Sequence, residues 1–401
     1  MKMADFDFNH HESQSRRYCR ASWIPSMGAV TDQGPTPTET QFQHGVKHLH
    51  ESGLQRLPTK YVLPLQDRPK PEPTEPSLKL PVVDLAQLRG PARQGVITSI
   101  ADACKRYGFF QVVNHGVTRG AAEGVMDVGR GFFGMPFEER AKYMSADMSG
   151  PVRCGTSFNQ RKDDVFCWRD FLKLTCQPMP DVLTHWPASP ADLRKVAATY
   201  AKETRDLFLV LMEAILEGLH ASDTVETKKN MKPEEEGGEE DDGDIMEKLK
   251  NGSQLMVVNY FPPCPEPDLT LGLPPHSDYG FLTLLLQDEV EGLQIQFQEN
   301  WVTVEPIENG LVVNLGDHLE IFSNGRYKSV LHRVLVNSER SRISVASLHS
   351  LPNECMVRPS PKLIDRANPR RYKDTDFGSF LEYISSRESK KKNFLETRKL
   401  T

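Results

Sequence analysis

The stretch His276-Ser277-Asp278-Tyr279-Gly280-Phe281-Leu282-Thr283-Leu284-Leu285-Leu286-Gln287 joins two polar, metal-competent residues to a short apolar run bounded by turns. Runs of the same kind recur around it, at Leu255–Tyr260, Gly292–Phe297, Trp301–Val304, Leu311–Leu315, Lys328–Asn337 and Arg342–Leu348. Many short Val/Ile/Leu-rich strands, closely spaced between turn residues, predict a β-sandwich or jelly roll. Upstream the texture is different. Ile97, Ile100, Ala101 and Cys104 have helical spacing and predict a helix over 92–107. Further helices are expected over 119–134, 137–145 and 190–220, the last with Leu193, Val196, Ala197, Tyr200, Leu207, Leu211 and Ile215 on one face. Strands are expected at Leu80–Leu85 and within 108–117, and a closing helix over 375–387. The fold class is therefore α+β, a jelly-roll core flanked by helices.

Five segments follow. Residues 1–77 read as a variable, partly disordered arm that ends in the Pro-rich stretch 66–77. Residues 78–221 form a largely helical region. Residues 222–250 read as a flexible insertion, because 222–245 is acidic and Gly-rich without the spacing of a calcium loop. Residues 251–352 are the jelly-roll core, and 353–401 a helix with a basic tail, Lys390–Lys392.

Composition narrows the class of function. A net charge of −6 offers no electrostatic case for nucleic acid. Seven scattered cysteines without a CxxC pair read as free thiols in a reducing compartment. Met1–His10 lacks the apolar stretch of a secretory leader, and no apolar run reaches membrane-spanning length. The expectation is a cytoplasmic protein, with the nucleus as an alternative, acting as a monomer on a small molecule.

The chemistry is carried by His276 and Asp278, with His332 on a later strand. Residues i and i+2 of an extended segment face the same way. Two imidazoles and one carboxylate on a triangular face are the ligand set of non-haem iron(II) oxygenases, and they leave positions open on the metal. An HxD pair alone is a weak signal. Ten residues after His332, Arg342 and Ser344 share a strand face, and a guanidinium with a hydroxyl can grip a carboxylate. His44 and His48 also have i,i+4 spacing, but no third ligand accompanies them.

With these residues in view, the chain resembles the plant 2-oxoglutarate-dependent dioxygenases, among them flavanone 3-hydroxylase, flavonol synthase, anthocyanidin synthase and the gibberellin oxidases. The resemblance covers about residues 78–388. It rests on the HxD…H…RxS pattern, on Asn259-Tyr260-Phe261-Pro262-Pro263-Cys264-Pro265, on Gly108–Gly116 and on Asn314-Leu315-Gly316-Asp317. It implies a double-stranded β-helix core with iron(II) on His276, Asp278 and His332. It further implies 2-oxoglutarate held by Arg342 and Ser344, with Asn259 and Tyr260 helping to place it. The family's second tyrosine is Phe261 here, which removes a hydroxyl. The implied reaction uses O₂ to hydroxylate or desaturate a small metabolite, such as a flavonoid or a hormone, and releases succinate and CO₂. Ascorbate is the implied reductant. The alternatives are an ascorbate-driven iron oxidase of the same fold and a ligand-binding relative without catalysis.

Phe158, Tyr279, Leu348, Phe377 and Phe380 are the candidates for the substrate pocket, the last two as a lid. His115, His318, His349 and Cys264 read as structural residues.

Overall fold

The computed structural model describes residues 44–69, 79–145, 147–157, 163–221, 242–385 and 394–400. Phe158, residues 1–43, the Pro-rich stretch 70–77, the acidic stretch 222–241 and the tail Lys390–Lys392 lie outside them. The strands are β1 (Val82–Asp84), β2 (Phe109–Val113), β3 (Val152–Thr156), β4 (Asp170–Thr175), β5 (Ser253–Phe261), β6 (Leu273–His276), β7 (Leu282–Gln287), β8 (Leu293–Phe297), β9 (Asn300–Thr303), β10 (Leu311–Leu315), β11 (His332–Val334) and β12 (Arg342–Ser350). The helices are α1 (Gly45–Glu51), α2 (Arg93–Arg106), α3 (Arg119–Gly134), α4 (Phe137–Ala141), α5 (Met179–Val182), α6 (Leu193–Ala221), α7 (Asp242–Lys250), α8 (Asp317–Phe322), α9 (Phe377–Ser385) and α10 (Phe394–Arg398).

Two sheets face each other. The larger has the order β1-β2-β10-β7-β12-β5-β4-β3, and the smaller has the order β6-β11-β8-β9. Period-two alternation assigns each strand two jobs. Along β12, Arg342, Ser344, Ala346 and Leu348 face a cavity between the sheets. Ile343 and Val345, on the opposite face, join the main core under the helices. Gly129 allows α3 to lie close on that outer face, since a Cβ there would sit 2.9 Å from Val258 and 3.2 Å from Ile343. Thr118 starts α3 by accepting the Ala121 amide. A smaller cluster of Leu80, Phe109, Leu293, Ile295, Val304 and Val312 closes the sandwich beside the cavity.

Two segment boundaries need correction. The folded unit does not begin at Leu78. Val46, Leu57 and Tyr61 are buried with Phe166, Trp168 and Cys264. The Val46 and Lys47 amides, at the start of α1, each donate to the Asp170 carboxylate at 3.0 Å. The arm is thus pinned by contacts more than a hundred residues distant in sequence, which no local periodicity could signal. The second correction concerns 242–250, which is helix α7 and not flexible insertion. Ile245 and Leu249, one turn apart, bury themselves in the main core. Two apolar residues in an acidic background give too short a pattern to detect.

Candidate active site

β6 and β11 pair antiparallel with His276 directly opposite His332. Asp278 lies just past the end of β6. Its loop is tied down by the Asp317 amide donating to the Asp278 carbonyl at 2.7 Å, and by the Gly316 amide donating to the Phe281 carbonyl at 3.0 Å. One ligand atom each from His276, Asp278 and His332 falls within 4.8 Å of the other two, and they are the one such group among the described residues. His44 and His48 stack at 4.4 Å, with His44 also on Phe137 at 4.2 Å, so they are packing residues.

The hydrogen bonds orient each ligand. His276 Nδ1 lies 2.8 Å from the Pro274 carbonyl, and His332 Nδ1 lies 3.3 Å from the Val330 carbonyl. A carbonyl only accepts, so both Nδ1 atoms carry the proton and both Nε2 atoms present lone pairs. Asp278 Oδ2 accepts from Thr283 Oγ1 at 2.6 Å and from Asn314 Nδ2 at 2.9 Å. Its Oδ1 faces the two Nε2 atoms at 3.8 Å each. Burial opposes ionisation of Asp278, but positive charge at the two imidazole edges, which a cation between them would supply, and these hydrogen bonds hold its carboxyl below the usual range. Three electron-pair donors converge with no proton between them, an arrangement that a cation relieves. The donor set therefore fits a divalent metal with open positions.

Asn314 and Thr283 are direct cross-strand partners on β10 and β7, so sheet register delivers both to one carboxylate oxygen. Thr283 escaped sequence reasoning, and its one signal is a hydroxyl in an otherwise apolar run. Thr283→Val and Asn314→Ala are each expected to weaken iron(II) binding by roughly 10–100-fold without unfolding the protein, as read by metal titration. Gly316 packs against the same loop, where a Cβ would lie 2.1 Å from the Gly280 carbonyl oxygen and 3.0 Å from that of Asp278. Both obstacles are backbone atoms. Gly316→Ala is therefore expected to cost about 1–3 kcal/mol of stability in a thermal or denaturant melt and to loosen iron as well.

Arg342 and Ser344 are on the opposite sheet from the two histidines. The Arg342 guanidinium is buried and donates to the Val290 carbonyl, to Ser344 Oγ and to Gln287 Oε1, at 3.1, 3.3 and 2.9 Å. All three acceptors are uncharged. Burial pulls its pKa down to about 10, with partial relief from Asp288. A buried cation facing a cavity, bonded only to neutral groups, fits a carboxylate ligand. Phe261 lies under the guanidinium at 5.3 Å, so the residue replacing the expected tyrosine contributes a cation–π floor.

Asn259 also faces the cavity, whereas Tyr260 does not. Adjacent residues on a strand point to opposite faces, and Tyr260 stacks on Phe133 at 5.2 Å on the outer side. Its expected part in holding the co-substrate is withdrawn. The cavity, of about 310 Å³, is also lined by Tyr279, Leu348, Phe377 and Phe380. Tyr279 packs against Phe377 at 5.1 Å and Phe380 at 4.8 Å, so α9 closes over the loop that bears the ligands.

The remaining singled-out residues are structural. His115 accepts the Val117 amide and contacts the Asn309 carbonyl, which fixes a turn. His318 bonds Ser350, and His349 bonds Ser347 and stacks on Phe208. Burial pushes the Cys264 thiol up to about 12, which leaves it a packing residue.

A triangular His/Asp/His face across a cavity from a buried guanidinium that hydrogen-bonds only neutral acceptors is the arrangement of an iron(II) oxygenase that takes a carboxylate co-substrate. Comparison with known proteins agrees. The model described as "2OG-Fe(II) oxygenase superfamily" matches residues 252–350, and that described as "non-haem dioxygenase in morphine synthesis N-terminal" matches 80–190. Flavanone 3-dioxygenase 2 of Oryza sativa subsp. japonica is 41% identical over 341 residues, 85% of this chain and 93% of the relative. Protein DMR6-LIKE OXYGENASE 1 of Arabidopsis thaliana is 42% identical over 310 residues, 77% of this chain and 83% of the relative. The crystal structure of JOX2 in complex with 2OG, Fe, and JA superposes with a TM-score of 0.76 at 31% identity, covering 89% of this chain and 98% of JOX2. The chain belongs to the 2OG-Fe(II) oxygenase superfamily. It is a 2-oxoglutarate-dependent dioxygenase with a double-stranded β-helix core, and it oxidises a small molecule.

Proposed function

We propose that His276 Nε2, Asp278 Oδ1 and His332 Nε2 hold the iron(II), and that Arg342 and Ser344 grip the distal carboxylate of 2-oxoglutarate with Asn259 beside them. The observation that carries this reading is the convergence of the three ligand atoms within 4.8 Å. Bound iron supplies the oxidising chemistry that couples conversion of 2-oxoglutarate and O₂ into succinate and CO₂ to hydroxylation or desaturation of the substrate. The protein's own part is orientation and exclusion of water. Thr283 and Asn314 keep Asp278 ionised and aimed. The carbonyls of Pro274 and Val330 set the imidazole tautomers. Tyr279, Leu348, Phe377 and Phe380 form the apolar mouth, with Phe158 a further candidate there.

We place the enzyme in plant specialised metabolism, acting as a monomer in the cytoplasm with ascorbate as external reductant and without nucleic-acid or membrane partners. No helix among the described residues is long and apolar enough to cross a membrane. The test is anaerobic addition of iron(II) and then 2-oxoglutarate, followed by a metabolite panel scored by substrate-dependent succinate release. A weak visible charge-transfer band and succinate from at least one metabolite are expected. A protein indifferent to iron, or succinate-silent across acids, phenolics and terpenoids, would overturn the reading.

A further inference from the structure

The cavity wall built by β3 and β4 carries charge that the metal centre and the co-substrate leave unused. Arg153 on β3, Lys173 on β4 and Arg169, immediately before β4, all line the cavity. Alternation along β4 turns Arg169, Phe171 and Lys173 inward together. The Phe171 ring is in cation–π range of two guanidinium groups, with Arg153 Cζ at 5.0 Å and Arg169 Cζ at 4.9 Å. Arg153 Nε donates to the Ser145 carbonyl at 2.9 Å, and Lys173 Nζ to the Met148 carbonyl at 2.6 Å.

Arg169 is the informative member. It is 6% exposed. Its Nη1 donates to Asn259 Oδ1 at 3.0 Å and its Nη2 to the Ser157 carbonyl at 2.8 Å, both neutral acceptors. Its Nε, also buried, has no hydrogen-bond partner among the described residues. A buried donor left unmade on a cavity wall is costly unless a ligand completes it.

The charge balance points the same way. Asp163 is the one carboxylate lining this part of the wall among the described residues; its Oδ2 accepts the Ser157 hydroxyl at 2.9 Å, and its single negative charge acts on both Arg153 and Arg169. Asp147, which acts on Lys173, is occupied by the Ser149 amide and hydroxyl. Ferrous iron and Arg342 together balance the 2-oxoglutarate dianion and Asp278, so the reaction centre holds no surplus negative charge for this wall. Burial lowers Arg169 to about 10; burial and then the charge of Arg153 lower Lys173 to about 8. Both directions are those of positive charges taken out of water.

We propose that this wall is the anion-binding pole of the substrate site, and that the enzyme oxidises a small carboxylic acid whose carboxylate is held by Arg169, Arg153 and Lys173 while its apolar body extends towards Tyr279, Phe377 and Phe380. A guanidinium fork matches a carboxylate in two parallel hydrogen bonds, which favours an acid over a neutral phenol. The inference rests on the iron and co-substrate assignment above and adds the class of molecule to it.

The test uses the full chain loaded with iron(II) and 2-oxoglutarate, and a panel of matched acids, methyl esters and primary amides on aryl-alkanoic, cinnamic and cycloalkyl-alkanoic skeletons. Succinate release and anaerobic calorimetric binding are read separately. At least one acid should bind about tenfold or more tighter than its ester and amide. Lys173→Met, at a half-buried site, should raise the KM for that acid about tenfold and spare the KM for 2-oxoglutarate, and Lys173→Arg should restore it. Arg169→Gln, checked for an unchanged melting temperature, should do the same. Esters accepted as well as acids would overturn the proposal. So would a rise in the 2-oxoglutarate KM alone, which would make Arg169 a positioning residue for Asn259. Normal iron and co-substrate binding with no acid bound would refute this inference alone, whereas failure to bind iron or 2-oxoglutarate would refute both.

Discussion

Asp278→Ala is expected to eliminate stable iron(II) binding and to lower substrate-dependent succinate release by more than about a thousandfold, or about 4 kcal/mol of transition-state barrier. Asp278 is the one anion of the three proposed ligands, and its Oδ1 stands 3.8 Å from both Nε2 atoms. Without it two neutral imidazoles remain, and the Thr283 and Asn314 donors lose their acceptor. Asp278→Asn separates charge from shape. It keeps an oxygen that can accept from Thr283 but loses the negative charge, so iron affinity should fall almost as far while the melting temperature changes little. Iron titration followed by single-turnover succinate measurement checks both variants. Ferrous affinity within tenfold of wild type in Asp278→Ala would remove this carboxylate from the metal shell.

The second large effect has two parts of different sign. Arg342→Met is expected to weaken 2-oxoglutarate binding by about 3–5 kcal/mol, the cost of truncating one partner of a buried charge pair. The same substitution should leave the apo protein as stable as wild type or more so. In the absence of a dicarboxylate the buried guanidinium has only neutral acceptors, and exchanging a buried charge for an apolar side chain of similar volume is often neutral or stabilising. Iron affinity should be unchanged, since the Arg342 guanidinium bonds Val290, Ser344 and Gln287 and the two histidines lie on the opposite sheet. Thermal melts of the apo protein and anaerobic titration of the charge-transfer band read the two parts independently. An unaltered band in Arg342→Met would exclude Arg342 as the anchor, and a large loss of apo stability would show that the guanidinium holds the β7–β12 edge together instead.

The converging His/Asp/His group was legible because its chemistry is sparse and position-specific. His276, Asp278 and His332 have residue types and spacings that few other roles require, and the recurring short strands supplied a scaffold on which they could meet. Arg342 and Ser344 were legible for the same reason. Tyr260 was misplaced although its motif is recognisable, because a motif names a strand but not which of its two faces looks inward. Pairing of β5 with β12 settles that, setting Asn259 opposite Ser344 and sending Tyr260 outward.

By itself, then, the order of residues determined the fold class and singled out the His/Asp/His group and the Arg342–Ser344 pair, since each depends on local period or on residue chemistry. Only the tertiary structure decided that the histidines and the anchor occupy opposing sheets, that residues 44–69 and 242–250 belong to the packed body, and that Thr283, Asn314 and Arg169 face the cavity. Those outcomes depend on strand register and on contacts between segments far apart in the chain. Such contacts are set by the burial of whole faces rather than by any run of neighbouring side chains.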